Sequence, residues 1–218
     1  MALAIFDLDN TLIAGDSDHA WGEFLVEQGL VDAEQYKEAN DRFYLDYQRG
    51  QLDIYAYQAF ALEPLTRWSA EQLAQLHDQF MQQKIAPIML DQAKALLQKH
   101  RDAGDFLLII TATNRFVTGP IAELLGVDDM LATEPEVIDG RYTGELVGTP
   151  CFQDGKVERL NQWLAERDHE LTDSYFYSDS RNDIPLLELV DHPIAVDADE
   201  ALTEHAKAKG WQLISLRN

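Results

Sequence analysis

The sequence predicts an α/β fold in which a parallel sheet carries helices on both faces. Three short apolar runs, at 3–8, 106–110 and 175–177, have the composition of buried parallel strands, and polar residues follow each run. Apolar residues at helical spacing, such as those within 93–100, lie between the runs. Because strands and helices alternate, the strands should be parallel, and a ligand should bind beyond their carboxyl ends.

The first predicted strand is separated from the second by a long inserted segment. About 70 residues, 14–86, lie between them, which is too long for a single crossover connection. We therefore expect an α-helical cap at 14–86 and a catalytic core formed by 1–13 and 87–218. The sequence Ser-Ala-Glu-Gln at 69–72 has the form of a capping box that begins a helix. Aromatic and apolar residues of the cap recur at helical spacing, which favours core packing over pocket lining: Trp21, Phe24, Leu25, Tyr36, Phe43 and Tyr47.

The second half of the chain contains a predicted β-hairpin and two outer strands. The dipeptide Asp139-Gly140, within 137–144, is typical of a tight turn, and we expect this hairpin to form a flap beside the site. Apolar segments at 193–196 and 211–216 flank a helical segment at 198–209 and should be strands at the sheet edge.

The composition limits the classes of partner. The formal net charge is −22, which repels nucleic acids and anionic membrane surfaces and favours a small, cationic partner. Cys151 is the single cysteine, so an internal disulfide and a cysteine-based zinc cluster are excluded, and a cytoplasmic protein is expected. The apolar residues at the start of the sequence meet acidic residues too soon to form a signal peptide.

Two carboxylates, Asp7 and Asp9, follow the first predicted strand. Strand alternation points both side chains to the same side, and two like charges that close require a cation. A divalent ion with oxygen ligands, most simply Mg²⁺, would neutralise them and leave one carboxylate free to attack phosphorus. The second carboxylate could protonate the leaving oxygen and then activate water. A solvated turn is the alternative explanation of this pattern by itself.

The surrounding sequence, Phe-Asp-Leu-Asp-Asn-Thr-Leu at 6–12, resembles the first motif of the haloacid-dehalogenase-like phosphatase superfamily. Thr111 after an apolar strand, Lys156, and the acidic run Asp-Ser-Arg-Asn-Asp at 179–183 resemble its later motifs, in the same order. The spacing of the last two is similar to that of the phosphoserine-phosphatase-like branch. This resemblance covers nearly the whole chain and implies a Rossmann-like core, Mg²⁺ as cofactor and an aspartyl-phosphate intermediate.

The resemblance also implies a role for each matching residue. Asp7 would be the nucleophile and Asp9 the general acid and base. The Mg²⁺ ligands would be the carboxylates of Asp7 and Asp179 and the backbone carbonyl of Asp9, and Asp183 would hold a water bound to the metal. The implied phosphate contacts are Thr111, the backbone amides of Ala112 and Thr113, Lys156 and Asn182. Ser180 stands where the family commonly has glycine.

The position of Asp16 indicates how the substrate is recognised. In the phosphoserine-phosphatase branch an acidic residue at this place binds the substrate's ammonium group, and a cap arginine binds its carboxylate. The comparable stretch 52–65 contains no arginine, so Asp16 and Asp18 suit an amino-alcohol phosphate such as histidinol phosphate. Asp16 as a helix N-cap is the alternative.

The sequence is compatible with other functions. Phosphoserine is an alternative substrate, and a protein that only binds a phosphorylated ligand is a different class of function. Transfer of the phosphate to another hydroxyl is a third alternative. The chain could be a monomer or a homodimer.

Overall fold

The computed structural model, which describes residues 2–217, has one seven-stranded sheet in the order β4-β3-β2-β1-β5-β6-β7. The strands are β1 (Leu3–Phe6), β2 (Phe106–Asn114), β3 (Asp129–Ile138), β4 (Arg141–Val147), β5 (Tyr175–Ser178), β6 (His192–Val196) and β7 (Gln212–Ile214). All neighbouring strands are parallel except β3 and β4, which form an antiparallel hairpin. The predicted parallel sheet is therefore confirmed.

Strand β1 lies at the centre of the sheet, between β2 and β5. Its successive side chains alternate between two buried apolar clusters, with Ala4 and Phe6 in one and Leu3 and Ile5 in the other. The chain order reverses at β1, so the carboxyl ends of β1, β2 and β5 border one crevice. The strand ends at Phe6, two residues earlier than the apolar run suggested.

Helices surround the sheet and form the inserted cap. They are α1 (Ser17–Glu27), α2 (Ala33–Gln48), α3 (Ile54–Leu62), α4 (Ala70–Phe80), α5 (Asp91–Ala103), α6 (Arg115–Leu125), α7 (Asp154–Ala165), α8 (Ile184–Leu187) and α9 (Glu200–Lys209). Short 3₁₀ helices occupy Glu63–Arg67, Ala86–Ile88 and Arg181–Asp183, and a π-helical turn occupies Met81–Ile85. None of the helices described within 2–217 is both long and apolar enough to cross a lipid bilayer.

The inserted helices α1 to α4 follow β1 directly, as predicted. Each begins at a residue whose side chain accepts hydrogen bonds from the first turn, and these caps are Asp16, Asp32, Asp53 and Ser69. The capping box of Ser69 and Gln72 is confirmed. Ile13 and Met89 form an isolated antiparallel bridge, so the two segments that connect the cap to the core lie side by side. The division into 1–13 with 87–218 and 14–86 stays a prediction.

The predicted hairpin is also confirmed. Its turn contains Asp139 and Gly140, both with positive φ angles (50° and 75°), which is the geometry that the Asp-Gly pair favours. The outer strands β6 and β7 form as expected, although β7 ends two residues before the apolar segment does. Gly210, in the left-handed region, ends α9.

Candidate active site

The loop after β1 buries two carboxylates at the centre of the crevice. Asp7 is 3% exposed, and its Oδ1 accepts a hydrogen bond from Lys156 Nζ at 2.9 Å. Burial raises the pKa of Asp7 to about 7, although the Lys156 ammonium acts in the opposite direction. Asn10 adopts a positive φ of 56°, which turns the chain away from the sheet directly after the two acids. Asp7 is thus a buried carboxylate with one oxygen held by a cation.

Lys156 connects three parts of the site. It lies in the first turn of α7 and donates to Asp7 and to Asp183 Oδ2, the latter at 2.8 Å. Burial disfavours the ammonium form, but the charges of Asp183 and Asp7 outweigh this effect and raise the pKa of Lys156. Lys156 is therefore a permanent cation beside Asp7.

Asp9 is held by two donors on opposite sides. The backbone N–H of Ser17, at the start of α1, donates to Oδ1 at 2.6 Å, and the Thr113 hydroxyl donates to Oδ2 at 2.8 Å. Burial, and then the negative charge of Asp16, raise the pKa of Asp9 to about 6. A carboxyl group with a pKa in this range can both donate and accept a proton near neutral pH.

The acidic run after β5 contributes two further carboxylates, of which Asp183 is buried and Asp179 is half-buried. Asp179 Oδ1 accepts from the Thr11 hydroxyl at 3.1 Å, and Asp183 Oδ2 accepts from the Ser178 hydroxyl at 2.7 Å. Burial and the charges of Asp7 and Asp183 raise the pKa of Asp179 well above its usual value. The structure thus brings Asp7, Asp179 and Asp183 into one electrostatic group.

This group fits a divalent cation. Asp7, Asp179 and Asp183 bring three carboxylates, and Lys156 brings one neutralising charge, so negative charge is in excess. Within residues 2–217, however, no three side chains of His, Cys, Asp or Glu are placed so that all three could coordinate one metal ion. The ligands that the resemblance implies are two carboxylates and the Asp9 backbone oxygen, so such a site would not be a cluster of that kind. An all-oxygen set is the one that Mg²⁺ prefers.

The residues expected to bind phosphate lie at the end of β2. Thr111, Ala112 and Thr113 line the same cavity as Asp7. They belong to the strand rather than following it, because β2 shifts register between Ile110 and Asn114 and then pairs with β3 again. Helix α6 begins at Arg115, and its N-terminal amides lie next to these residues.

Asn182 contacts the cap in this structure. Its Nδ2 donates to the backbone oxygen of Tyr47 in α2 at 3.2 Å, and its Oδ1 accepts from Gln153 Nε2 at 3.0 Å. Ser180, in place of the family's common glycine, fits its loop because its φ is −110° and its hydroxyl accepts from the Asn182 backbone N–H. Asn182 therefore joins the acidic loop, the loop before α7 and the cap.

A cavity between the cap and the crevice has an acidic and aromatic lining. Four carboxylates line it, those of Asp7, Asp9, Asp16 and Asp18. The rest of the lining is His19, Asn40, Phe43, Tyr44, Tyr47, Leu52, Ile54, Tyr57, Thr111, Ala112 and Thr113. No lysine or arginine lines this cavity within the described part of the chain. The cavity therefore suits a ligand with positive charge beside its phosphate.

The expectation that the cap aromatics pack only in its core is partly wrong. Trp21 and Phe24 are buried in the core as expected. Phe43 and Tyr47 also line the cavity, although Phe43 packs at the same time against Tyr57 and Phe60 of α3. Helical spacing shows that residues share a face but not what the face contacts.

Sequence reasoning missed the hydroxyl groups that hold the acids in place. Thr113, Thr11 and Ser178 each donate to a site carboxylate, namely Asp9, Asp179 and Asp183. Thr113 is two residues after Thr111 on one strand, so strand alternation was a signal that both hydroxyls face the crevice.

Comparisons with known proteins agree with this geometry. The family model described as haloacid dehalogenase-like hydrolase matches residues 4–188. A histidinol-phosphatase of Neisseria meningitidis serogroup C (strain 8013) is 49% identical over 219 residues, covering 99% of each chain. A phosphoserine phosphatase of Mycobacterium tuberculosis (strain ATCC 25618 / H37Rv) is 32% identical and covers 99% of this chain and 71% of the relative.

Solved structures show the same fold. A protein of unknown function from Bordetella pertussis Tohama I has a TM-score of 0.92 and 46% identity, with 99% of this chain and 98% of that chain covered. A substrate-bound phosphoserine phosphatase has a TM-score of 0.74 and 19% identity, with coverage of 100% and 94%. The buried acids and the lysine of the site agree with these similarities. The chain therefore belongs to the haloacid dehalogenase-like hydrolase family and is a phosphoric monoester hydrolase of its phosphoserine-phosphatase-like branch.

Proposed function

We propose that this phosphatase depends on Mg²⁺, forms an aspartyl phosphate on Asp7, and hydrolyses a small cationic phosphate ester, histidinol phosphate. The arrangement around Asp7 carries the mechanistic part of this proposal. Lys156 holds its Oδ1, and Asp9 lies two residues away with its two oxygens engaged by Ser17 and Thr113. This arrangement supports a nucleophile and a separate acid–base group in one site.

The proposed reaction has two steps at phosphorus. In the first, an oxygen of Asp7 forms a bond to phosphorus while the bond to the substrate oxygen breaks, and the leaving oxygen takes a proton from Asp9. In the second, Asp9 takes a proton from water, whose oxygen attacks phosphorus and releases the Asp7 carboxylate and inorganic phosphate. Lys156, the Thr111 hydroxyl and the amides of Ala112 and Thr113 would hold the phosphate oxygens.

Mg²⁺ would be held by the carboxylates of Asp7 and Asp179 and the backbone oxygen of Asp9, with Asp183 next to it through water. When bound, the ion would neutralise charge on the phosphate and keep Asp7 ionised. The excess of buried negative charge around Asp7 supports this role, because a divalent cation would relieve it.

The cavity lining supports the choice of substrate. Its carboxylates and aromatic rings favour a cationic organic group, and the 49% identical relative is named a histidinol-phosphatase. Phosphoserine remains the second candidate because the 32% identical relative is named a phosphoserine phosphatase. A phosphoserine carboxylate would meet no arginine or lysine among the cavity residues, which favours histidinol phosphate.

We expect purified protein with Mg²⁺ to release phosphate from histidinol phosphate with a higher kcat/KM than from phosphoserine, phosphoethanolamine or sugar phosphates. Phosphate release is measured colorimetrically, and excess chelator should stop it until Mg²⁺ is restored. A faster reaction with phosphoserine would contradict the substrate assignment. Failure to hydrolyse even p-nitrophenyl phosphate would favour a ligand-binding protein, and transfer of phosphate to an added alcohol would indicate a phosphotransferase.

A further inference from the structure

Asp18 has an oxygen atom that the protein leaves without a partner. The residue is only 6% exposed and lines the cavity. Its Oδ1 accepts a long hydrogen bond from Asn114 Nδ2 at 3.3 Å, whereas its buried Oδ2 has no hydrogen-bond partner within residues 2–217. Burying a carboxylate oxygen without a donor is unfavourable, so this side chain is not explained by the stability of the fold.

The other carboxylates of the cavity are already engaged. Asp7 binds Lys156, and Asp9 accepts from Ser17 and Thr113. Asp16 Oδ1 caps α1 by accepting from the His19 backbone N–H at 2.8 Å, which confirms the N-cap alternative for this residue. Asp18 is thus the cavity carboxylate that the protein's own hydrogen bonds and ion pairs stabilise least.

The surroundings of Asp18 select a cation rather than a neutral donor. The aromatic side chains of Phe43, Tyr44, Tyr47 and Tyr57 line the same cavity, and ring faces attract organic cations. Burial, followed by the charge of Asp16, raises the pKa of Asp18 well above its usual value. The Tyr57 hydroxyl already acts as a neutral donor that lowers the pKa of Asp18, but it offsets burial only in part. A positively charged ligand group would favour the ionised carboxylate further.

Helix α1 and strand β2 fix the distance between Asp18 and the residues proposed to bind phosphate. It lies in the first turn of α1, and its partner Asn114 is the last residue of β2. Thr111 and Thr113 belong to that strand, so phosphate and cation would be spaced by β2 and the start of α1. The more distant cap helices would not set this spacing.

We propose that Asp18 is a specificity-determining residue that binds a second cationic group of the substrate. The first cationic group would face Asp16, and the second would lie next to it, against the Asp18 carboxylate and the aromatic residues of the cap. The proposal rests on the proposed phosphatase function and narrows its substrate class to phosphate esters with two basic groups. Histidinol phosphate belongs to this class, because it carries an amine and an imidazole that protonates near neutral pH.

The test compares wild type, Asp18→Asn and Glu38→Gln with three esters: histidinol phosphate with two basic groups, phosphoethanolamine with one, and p-nitrophenyl phosphate with none. Glu38 is an exposed residue of α2 outside the cavity, so its substitution removes the same charge from the cap. For Asp18→Asn we expect kcat/KM with histidinol phosphate to fall about 10- to 100-fold, mainly through KM, as for loss of a charge-assisted hydrogen bond. The loss should be much smaller with the other two esters, and Glu38→Gln should behave as wild type with all three.

An equal loss of kcat/KM with all three esters in a variant that keeps the wild-type melting temperature would overturn the proposal, because it would show a general structural role. A second measurement needs no variant. Free histidinol should inhibit p-nitrophenyl phosphate hydrolysis by the unaltered protein far more strongly than ethanolamine or propanol does. Equal inhibition by the three alcohols would also overturn the proposal.

These outcomes separate the two proposals. If the unaltered protein hydrolyses p-nitrophenyl phosphate but not histidinol phosphate, the proposed substrate is wrong. The cation site at Asp18 is still decided by the competition with histidinol, and by whether Asp18→Asn removes that inhibition.

Discussion

At the scale of single residues, Lys156 explains why the two acidic loops form one site. It is 3% exposed and donates to Asp7 from the loop after β1 and to Asp183 from the loop after β5. Removing one partner of such a buried ion pair is costly, because the remaining charges are left without compensation. The lysine therefore holds the proposed nucleophile in position.

Cys151 provides a prediction at this scale, because it is the only thiol and lies near the site. Burial raises the pKa of Cys151 to about 12, so at pH 8 only about one thiol in 10⁴ is ionised. Because the thiolate is the reactive form, a raised pKa makes the thiol slow to react at pH 8. We expect the folded phosphatase to keep full activity after treatment with iodoacetamide at pH 8, with no alkylation at Cys151 by mass spectrometry.

In denaturant the same thiol should be alkylated readily, which is the internal control. Rapid loss of activity together with alkylation of the folded protein would show that the thiol is accessible and ionised, against this structure.

At the scale of elements, the loop that leads into α7 determines where Lys156 points. A Cβ atom on Gly155 would lie 2.1 Å from the backbone oxygen of Pro150, so no larger residue fits without moving the backbone. We expect Gly155→Ala to reduce kcat at least about tenfold and to lower the free energy of unfolding by about 1–3 kcal/mol, the usual cost of overpacking. Phosphate release and denaturant unfolding measure the two effects.

Gly210→Ala is the matched control. Gly210 ends α9 with a φ of 72° and has open space around its Cβ position, so alanine there should cost about 1–2 kcal/mol of stability without changing kcat. If Gly155→Ala kept wild-type kcat, the close approach to Pro150 would not control the position of Lys156.

The elements also show what the sequence could and could not predict. The parallel sheet, the Asp139-Gly140 hairpin and the capping box at Ser69 are local patterns with one clear structural solution, and all are confirmed. The register shift that draws Thr111 into β2 depends on pairing with β3, which no local pattern encodes. The face that α2 turns to the cavity, with Phe43 and Tyr47, likewise depends on tertiary packing.

At the scale of the whole molecule, the cap lies close over the site. The cavity has a volume of about 40 Å³, far below the roughly 300–1,000 Å³ of typical small-molecule pockets. A phosphorylated metabolite requires more room, so the cap helices must move away from the crevice for substrate to enter. The contact between Asn182 and the Tyr47 backbone oxygen is one of those that this movement would break.

The net charge of −22 creates an electric field around the whole molecule. It would repel a simple phosphate ester at long range and would repel an ester with positive groups less. The charge of the surface and the acidic lining of the cavity therefore favour the same class of substrate, which is the class proposed for Asp18.

The proposed mechanism depends on covalent phosphorylation of Asp7, which chemical trapping can detect. The reaction is quenched during turnover, reduced with borohydride, and analysed by peptide mass spectrometry, because borohydride converts an acyl phosphate of aspartate into homoserine. We predict homoserine at position 7, and neither homoserine nor phosphate release in Asp7→Asn, whose amide is a far poorer nucleophile. Continued phosphate release with Asp7 unmodified, or with the label at another residue, would contradict the mechanism.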